Sequence, residues 1–84
     1  MNLTELAHAL TDIGIAPTTV ALGGRADYTW CVDQSSEDGA WEVYWYERGN
    51  KNNLVRLTTE SEACFQLLGR LTYSQLLAGA IRRS

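Results

Sequence analysis

The sequence predicts one α+β domain, in which an N-terminal helix and one or two C-terminal helices pack on one face of a four-stranded antiparallel β-meander. Three observations predict this class. The 84 residues suit one domain, and 45% of them are hydrophobic, which is enough to form a core. Amphipathic segments with a helical period occur near both ends of the chain, and short alternating segments separated by turn residues fill its middle. Because no linker is visible, we expect a single domain over residues 1–84.

The first predicted element is an N-terminal helix, roughly from Thr4 to Ile13. Its apolar residues recur at spacings of three and four, the period of one helix face: Leu3, Leu6, Leu10 and Ile13. Asn2 or Thr4 can cap its start. Gly14 suits the left-handed position beyond its end, and Pro17 prevents its continuation.

Four short strands follow, at Thr18–Leu22, Asp27–Asp33, Ala40–Arg48 and Leu54–Leu57. Turn-forming residues separate them, at Gly23–Gly24, Gln34–Gly39 and Gly49–Asn53. Because these connections are short, we predict antiparallel neighbours.

The third strand has the clearest alternation, because successive side chains point to opposite faces of a sheet. One face carries Trp41, Val43 and Trp45. We assign this face to the core beneath the helices, since it has the larger apolar volume. The opposite, open face carries Glu42, Tyr44, Tyr46 and Arg48. Tyrosine and arginine are enriched at interface hot spots, so this face is either a protein-binding surface or a solvated cross-strand ladder.

The C-terminal region predicts one or two helices on the same sheet face. Thr59 with Glu62 three residues later fits a capping box. The apolar stripe that follows contains Ala63, Cys64, Leu67, Leu68 and Leu71. Gly69 weakens this helix, and we interpret Thr72–Ser74 as a break or kink. A last short helix would then continue the stripe with Leu76, Leu77, Ala80 and Ile81.

Charge is unevenly distributed along the chain, whose net charge is −3. The central segment is acidic, with Asp27, Asp33, Glu37, Asp38, Glu42 and Glu47. The C-terminal end is basic, with Arg70, Arg82 and Arg83. An acidic chain repels phosphate backbones, so we expect no nucleic-acid partner.

Few residues are candidates for catalysis or metal binding. His8 is the only histidine, and it is far in sequence from Cys31 and the serines, which argues against a nucleophile–histidine pair. Cys31 and Cys64 lack the spacing of zinc ligands, and we interpret them as buried thiols, with a disulfide as the alternative. We therefore expect a protein that is not an enzyme and has no metal site and no cofactor.

Neither a targeting segment nor a membrane span is predicted. The residues from Met1 to Glu5 lack the basic and apolar regions of a signal peptide. No apolar stretch approaches the roughly 18 residues of a membrane span. We expect a cytoplasmic protein without a membrane partner.

Part of the sequence resembles a known family. Trp41–Gly49 has the pattern W-E-V-x-x-x-E-R-G, and Ala63–Leu68 has the pattern A-C-x-x-L-L. This strand and helix resemble those of small bacterial immunity proteins from polymorphic and contact-dependent growth-inhibition toxin systems. The resemblance covers about two-thirds of the core. The segment from Tyr73 to Ser84 extends beyond the pattern.

The resemblance implies a protein that binds and neutralises a cognate toxin domain. Such toxins often act on nucleic acids or nucleotide cofactors through basic clefts, so the expected partner is a nuclease or a nucleotide-cofactor-degrading toxin. An anionic surface would complement such a cleft and speed association. The candidate contacts are Asp33, Glu37, Asp38, Glu42, Tyr44, Tyr46, Glu47 and Arg48. The alternative is a non-enzymatic adaptor or a homodimer that pairs through the open face or the edge strand Thr18–Leu22.

Overall fold

The computed structural model describes residues 1–79 and confirms the α+β class. Two helices pack on one face of a four-stranded sheet with the strand order β1-β2-β3-β4. The elements are α1 (Leu3–Asp12), a 3-10 turn (Pro17–Thr19), β1 (Ala21–Leu22), β2 (Thr29–Gln34), β3 (Trp41–Glu47), β4 (Asn50–Leu57) and α2 (Glu60–Leu77). The predictions for Ala80, Ile81, Arg82 and Arg83 lie outside the described residues.

The predicted N-terminal helix is confirmed, and its start is fixed by a capping box. Asn2 Oδ1 accepts a hydrogen bond from the Glu5 N–H at 2.8 Å, and Glu5 Oε1 accepts one from the Asn2 N–H at 3.0 Å. Gly14 has a φ of 84° just beyond the helix, as its lack of a Cβ allows. Leu6 and Leu10 are buried against the sheet and α2.

The prediction of a wholly antiparallel meander is wrong at β1. This strand pairs in parallel with β2, with Ala21 opposite Cys31 and Leu22 opposite Val32, whereas the other strand pairs are antiparallel. The first two residues of the predicted strand Thr18–Leu22 belong instead to a 3-10 turn, because Pro17 occupies its first position with a φ suited to such a turn. The connection formed by residues 23–28 returns the chain to the start of β2.

The predicted turn Gly49–Asn53 is also wrong. Glu47 pairs with Asn50, so the turn contains only Arg48 and Gly49, whose φ angles are 51° and 78°. Positive φ at both central residues is typical of the type I′ hairpin turn. β4 therefore begins at Asn50, and its polar first half forms part of the sheet edge. The register shifts by one residue between Val43 and Trp45 of β3, which indicates a β-bulge in the hairpin.

The predicted break at Thr72–Ser74 is absent, because α2 is one continuous helix. Thr59 caps its start as predicted, since its Oγ1 accepts a hydrogen bond from the Glu62 N–H at 3.1 Å. Beyond the expected break, Gln75 Nε2 donates to the Ile13 carbonyl oxygen at 2.9 Å. This contact ties the last turns of α2 to the end of α1 and favours continuation of the helix.

The core lies between the helices and one face of the sheet, as predicted. Its buried members are Leu6, Leu10, Val32, Val43, Ala63, Cys64, Leu67 and Leu71. Trp30 and Trp41 pack against this cluster. Trp45 is half-buried and contacts Trp30 edge-on, with ring centroids 5.9 Å apart. In residues 1–79, no helix combines the length and apolarity needed to cross a membrane.

The two cysteines lie on opposite sides of the sheet. Cys64 belongs to the core between the helices and the sheet. Cys31 is opposite Tyr44 in the strand register and therefore shares the other face with it. Both are buried free thiols, and burial raises the pKa of each. The sheet separates them, so this fold does not allow them to form a disulfide with each other.

Candidate functional site

The face of the sheet opposite the helices contains a polar cleft of about 540 Å³. We call it the open-face cleft and define it by the six charged residues that line it: Arg25, Asp33, Glu37, Glu42, Lys51 and Arg56. Ser35 and Ser36, from the β2–β3 connection, also line it. The predicted polar face thus forms a concave surface.

The strand register explains why these charges meet. Asp33 of β2 lies opposite Glu42 of β3, and Glu42 lies opposite Arg56 of β4. Two carboxylates directly opposite each other repel, unless cations are close. Lys51 supplies a second cation, because the two-residue turn places it opposite Tyr46, on the face that also carries Glu42.

A salt-bridge network is centred on Glu42, whose residue surface is only 6% exposed. Its Oε1 lies 2.6 Å from Lys51 Nζ, and its Oε2 lies 3.2 Å from Arg56 Nε. Arg56 Nη2 also lies 2.5 Å from Asp38 Oδ2, and this hydrogen bond lowers the pKa of the Asp38 carboxyl. A buried carboxylate is tolerated only when it is paired, so the two cations are what allow Glu42 to be buried.

Two tyrosines lie next to this network and contact its cations. The rings of Tyr44 and Tyr46 pack edge-on, with centroids 6.1 Å apart. Lys51 Nζ lies 5.0 Å from the Tyr44 centroid, and the Arg25 guanidinium lies 5.5 Å from the Tyr46 centroid. These are cation–π distances. The basic side chains therefore cover the aromatic surface as well as neutralising carboxylates.

Tyr44 is fully buried, although it was predicted to lie on an exposed face. The connection formed by residues 23–28 lies against this face, where the Tyr28 N–H donates to the Tyr46 carbonyl oxygen at 2.7 Å and Cys31 Sγ lies 3.9 Å from the Ala26 carbonyl oxygen. Among the described residues, the Tyr44 hydroxyl has no hydrogen-bond partner. Burial raises the pKa of this phenol to about 12.

The structure brings together only part of the predicted contact set. Asp33, Glu37 and Glu42 line the cleft, Asp38 joins it through Arg56, and half-buried Tyr46 lies beside Arg25. Glu47 does not belong to this face: it accepts a hydrogen bond from Trp45 Nε1 at 3.1 Å on the helix side of the sheet. Arg48 lies in the hairpin turn and is exposed. Glu42 and Tyr44 are too buried to offer large contact areas.

Sequence reasoning missed the three cations of the cleft: Arg25, Lys51 and Arg56. The signal that could have revealed Lys51 is the pair Arg48-Gly49, because a two-residue turn there fixes the register of β4. The expected anionic surface is consequently a mixed-charge surface, with three acidic and three basic residues around the cleft.

Two carboxylates at the cleft remain available to a partner. In residues 1–79, Asp33 and Glu37 form no salt bridge. Asp33 Oδ1 accepts a hydrogen bond from the Gln34 N–H at 2.9 Å, and the Glu37 N–H donates to Ser35 Oγ at 3.2 Å. These local bonds order the β2–β3 connection and leave the carboxylates free to bind a cation.

The described residues contain no group of three or more histidine, cysteine, aspartate and glutamate side chains arranged to hold a metal ion. His8 is exposed on α1, on the helix side of the sheet, away from the open-face cleft.

Comparison of the chain with protein families, with curated proteins and with solved structures returned no match. Over residues 1–79 the protein is an α+β domain with two helices on one face of a mixed four-stranded sheet.

Proposed function

We propose that this protein is an immunity protein, a stoichiometric inhibitor that binds and neutralises a cognate bacterial toxin domain. The observation that supports it most is the open-face cleft, where the carboxylates of Asp33 and Glu37 form no salt bridge within residues 1–79 and lie beside a network of paired charges. The strand that resembles immunity proteins forms the middle of this face through Glu42, Tyr44 and Tyr46.

The paired charges favour tight binding because they hold the surface in one arrangement. Glu42 is held between Lys51 and Arg56, so few side chains must be ordered when a partner binds. A surface organised in advance loses less conformational entropy on association. The network is therefore a rigid support for the two available carboxylates.

The charges around the cleft favour a partner with basic groups at its centre. Asp33 and Glu37 can accept hydrogen bonds from arginine or lysine side chains. Charge complementarity of this kind speeds encounter and selects the partner. A nuclease or nucleotide-cofactor-degrading toxin with a basic cleft would satisfy it, and occupancy of that cleft would exclude its anionic substrate without catalysis by the inhibitor.

The alternative of a homodimer through the predicted edge strand Thr18–Leu22 has little support at that edge. β1 consists only of Ala21–Leu22, which offers too few backbone groups for extended strand pairing.

The direct test is co-expression with the toxin encoded next to this protein. We expect the cells to survive and the two proteins to elute as a one-to-one complex. Full toxicity together with the absence of a complex would refute the proposed function.

The role of the cleft is tested by reversing its free charges. The double change Asp33→Lys and Glu37→Lys should lower the association rate constant by about tenfold or more at low salt, with a smaller effect at high salt. The control is Asp12→Lys, since Asp12 is exposed on α1 on the other side of the sheet. Stopped-flow association should give the same rate constant for the control and the original protein, and an unchanged rate constant for the double variant would exclude the cleft.

A further inference from the structure

α2 carries a second set of apolar side chains, which are exposed on the side that faces away from the core. Phe65, Tyr73 and Leu77 are 57%, 63% and 64% exposed. With Gly69 they follow one another at intervals of four residues, so they form one ridge along the helix. The buried residues of α2 occupy its opposite side: Ala63, Cys64, Leu67 and Leu71. The described part of the chain therefore leaves this ridge uncovered.

The ridge is symmetric about Gly69, with an aromatic residue four positions before it and another four positions after it. When two copies of α2 cross in antiparallel orientation with Gly69 against Gly69, Phe65 of each copy meets Tyr73 of the other. Such a self-complementary contact is the isologous interface of a twofold dimer. Ridges of four-residue spacing pack at a crossing angle of about −50°.

The chain's own packing does not explain the glycine at position 69. A Cβ added there would meet nothing within 4 Å. Glycine in the interior of a helix is unfavourable relative to alanine. The absence of a side chain allows a second helix to approach closely at this point of the ridge.

Charge also favours a second copy as the occupant, and the exposed area sets the strength of the contact. The ridge from Phe65 to Leu77 contains no charged residue, so two copies of this acidic chain can meet there without direct repulsion. With three side chains more than half exposed, two copies would bury on the order of 700–1,000 Å², below the size of standard stable interfaces. This area corresponds to a weak dimer.

We propose that α2 forms a symmetric antiparallel homodimer through Phe65, Gly69 and Tyr73. This interface lies on the helix layer and the open-face cleft on the other side of the sheet, so both clefts of the dimer stay accessible. The inference goes beyond the proposed inhibitory function and does not depend on it.

Sedimentation equilibrium of the full chain tests the dimer over a range from about 10 μM to about 1 mM. We expect a monomer at the lowest concentration and a rising dimer fraction at the highest. The change Gly69→Gln should keep the protein monomeric throughout, because a long side chain blocks the close approach, and its higher helix propensity should preserve or raise the thermal midpoint.

The matched control is Ser74→Gln, which places the same side chain at an exposed position of α2 outside the ridge. It should dimerise like the original chain. A monomer at every concentration of the original chain, or equal dimerisation of the Gly69→Gln variant, would overturn the proposal.

Cross-linking tests the predicted register. Variants Phe65→Cys and Tyr73→Cys, mixed in equal amounts and oxidised, should form a disulfide-linked heterodimer, because an antiparallel crossing brings these two positions together. Cys31 and Cys64 are buried and should not compete. Linkage of Phe65→Cys with itself as efficient as in the mixture would contradict the antiparallel register.

Discussion

The buried hydroxyl of Tyr44 has no hydrogen-bond partner among the described residues, which carries an energetic cost. A buried hydroxyl without a partner loses its bonds to water and gains none in return. We predict that Tyr44→Phe raises the free energy of unfolding by about 1 kcal/mol, because it removes this cost and keeps the ring. Urea denaturation measures the change, with Tyr46→Phe at a half-buried position as the control. A loss of stability in Tyr44→Phe would show that the hydroxyl has a partner.

The same phenol gives the fold a dependence on alkaline pH. Burial raises the pKa of Tyr44 to about 12, above its ordinary value of 10.0. The Tyr44 phenol therefore ionises at a lower pH in the unfolded chain than in the folded protein. Its contribution to the free energy of unfolding is complete below about pH 10 and is lost as the pH rises towards 12. Tyrosinate absorbance should therefore show one late-titrating phenol, which Tyr44→Phe removes. An absorbance titration near pH 12 that Tyr44→Phe leaves unchanged would contradict the burial of Tyr44.

Glu42 and Asp38 provide a matched pair of carboxylates that share Arg56 and differ in burial. The Glu42 side chain is 8% exposed and binds two cations, whereas the Asp38 side chain is 53% exposed. Neutralising Glu42 leaves Lys51 and Arg56 without their shared partner. Glu42→Gln should therefore lower the free energy of unfolding by about 1–2 kcal/mol, which is less than for a fully buried ion pair because both cations reach solvent. Asp38→Asn should cost much less, because solvent screens this exposed pair. Equal costs in chemical denaturation would show that burial does not set the strength of this network.

At the scale of elements, the β3–β4 hairpin depends on one glycine that the turn requires. Gly49 has a φ of 78°, whereas Gly69 lies within a regular helix with open space around it. We predict that Gly49→Ala lowers the free energy of unfolding by about 1 kcal/mol or more, because alanine is strained at positive φ. Gly69→Ala should raise it by about 0.5–1 kcal/mol. Thermal denaturation of dilute protein, where it is monomeric, compares the two, and a stabilising Gly49→Ala would contradict the type I′ turn.

The elements with strong local signals could be predicted from the sequence. The spacing of Leu6 and Leu10 and the cap at Asn2 define α1, and the alternation around Val43 defines β3 with the correct face towards the helices. These signals are local because hydrophobic periodicity and capping act within a few residues. The indole and tyrosine faces of β3 were therefore assigned correctly, although the burial of Tyr44 was not foreseen.

The remaining features depend on contacts between distant segments. Asn50–Asn53 has the composition of a turn, and only the register imposed by Arg48 and Gly49 makes it a strand. The parallel pairing of β1 with β2 follows from the path of residues 23–28, and no local pattern of residues predicts it. Continuation of α2 through Tyr73 is supported by the bond from Gln75 to Ile13, across 62 residues of sequence. The cations of the cleft could not be predicted for the same reason, since Lys51 reaches Glu42 only through the register of β3 with β4.

At the scale of the whole molecule, the two layers present two different surfaces. The sheet layer presents the mixed-charge open-face cleft, and the helix layer presents the apolar ridge of α2. Within the central acidic segment of the sequence, Asp38 and Glu42 are paired in space with Lys51 and Arg56. The carboxylates of Asp33 and Glu37 are the acidic groups at the cleft that a partner can still bind. Their accessibility is the physical basis of the proposed inhibition.

The most direct test of this account is a map of backbone amide shifts on titration of the ¹⁵N-labelled protein with its cognate toxin domain. We predict the largest changes at Asp33–Glu37 and at Lys51, with little change at the exposed end of α1 around His8 and Asp12. Changes confined to the helices, with an unaltered β2–β3 connection, would contradict binding through the open-face cleft.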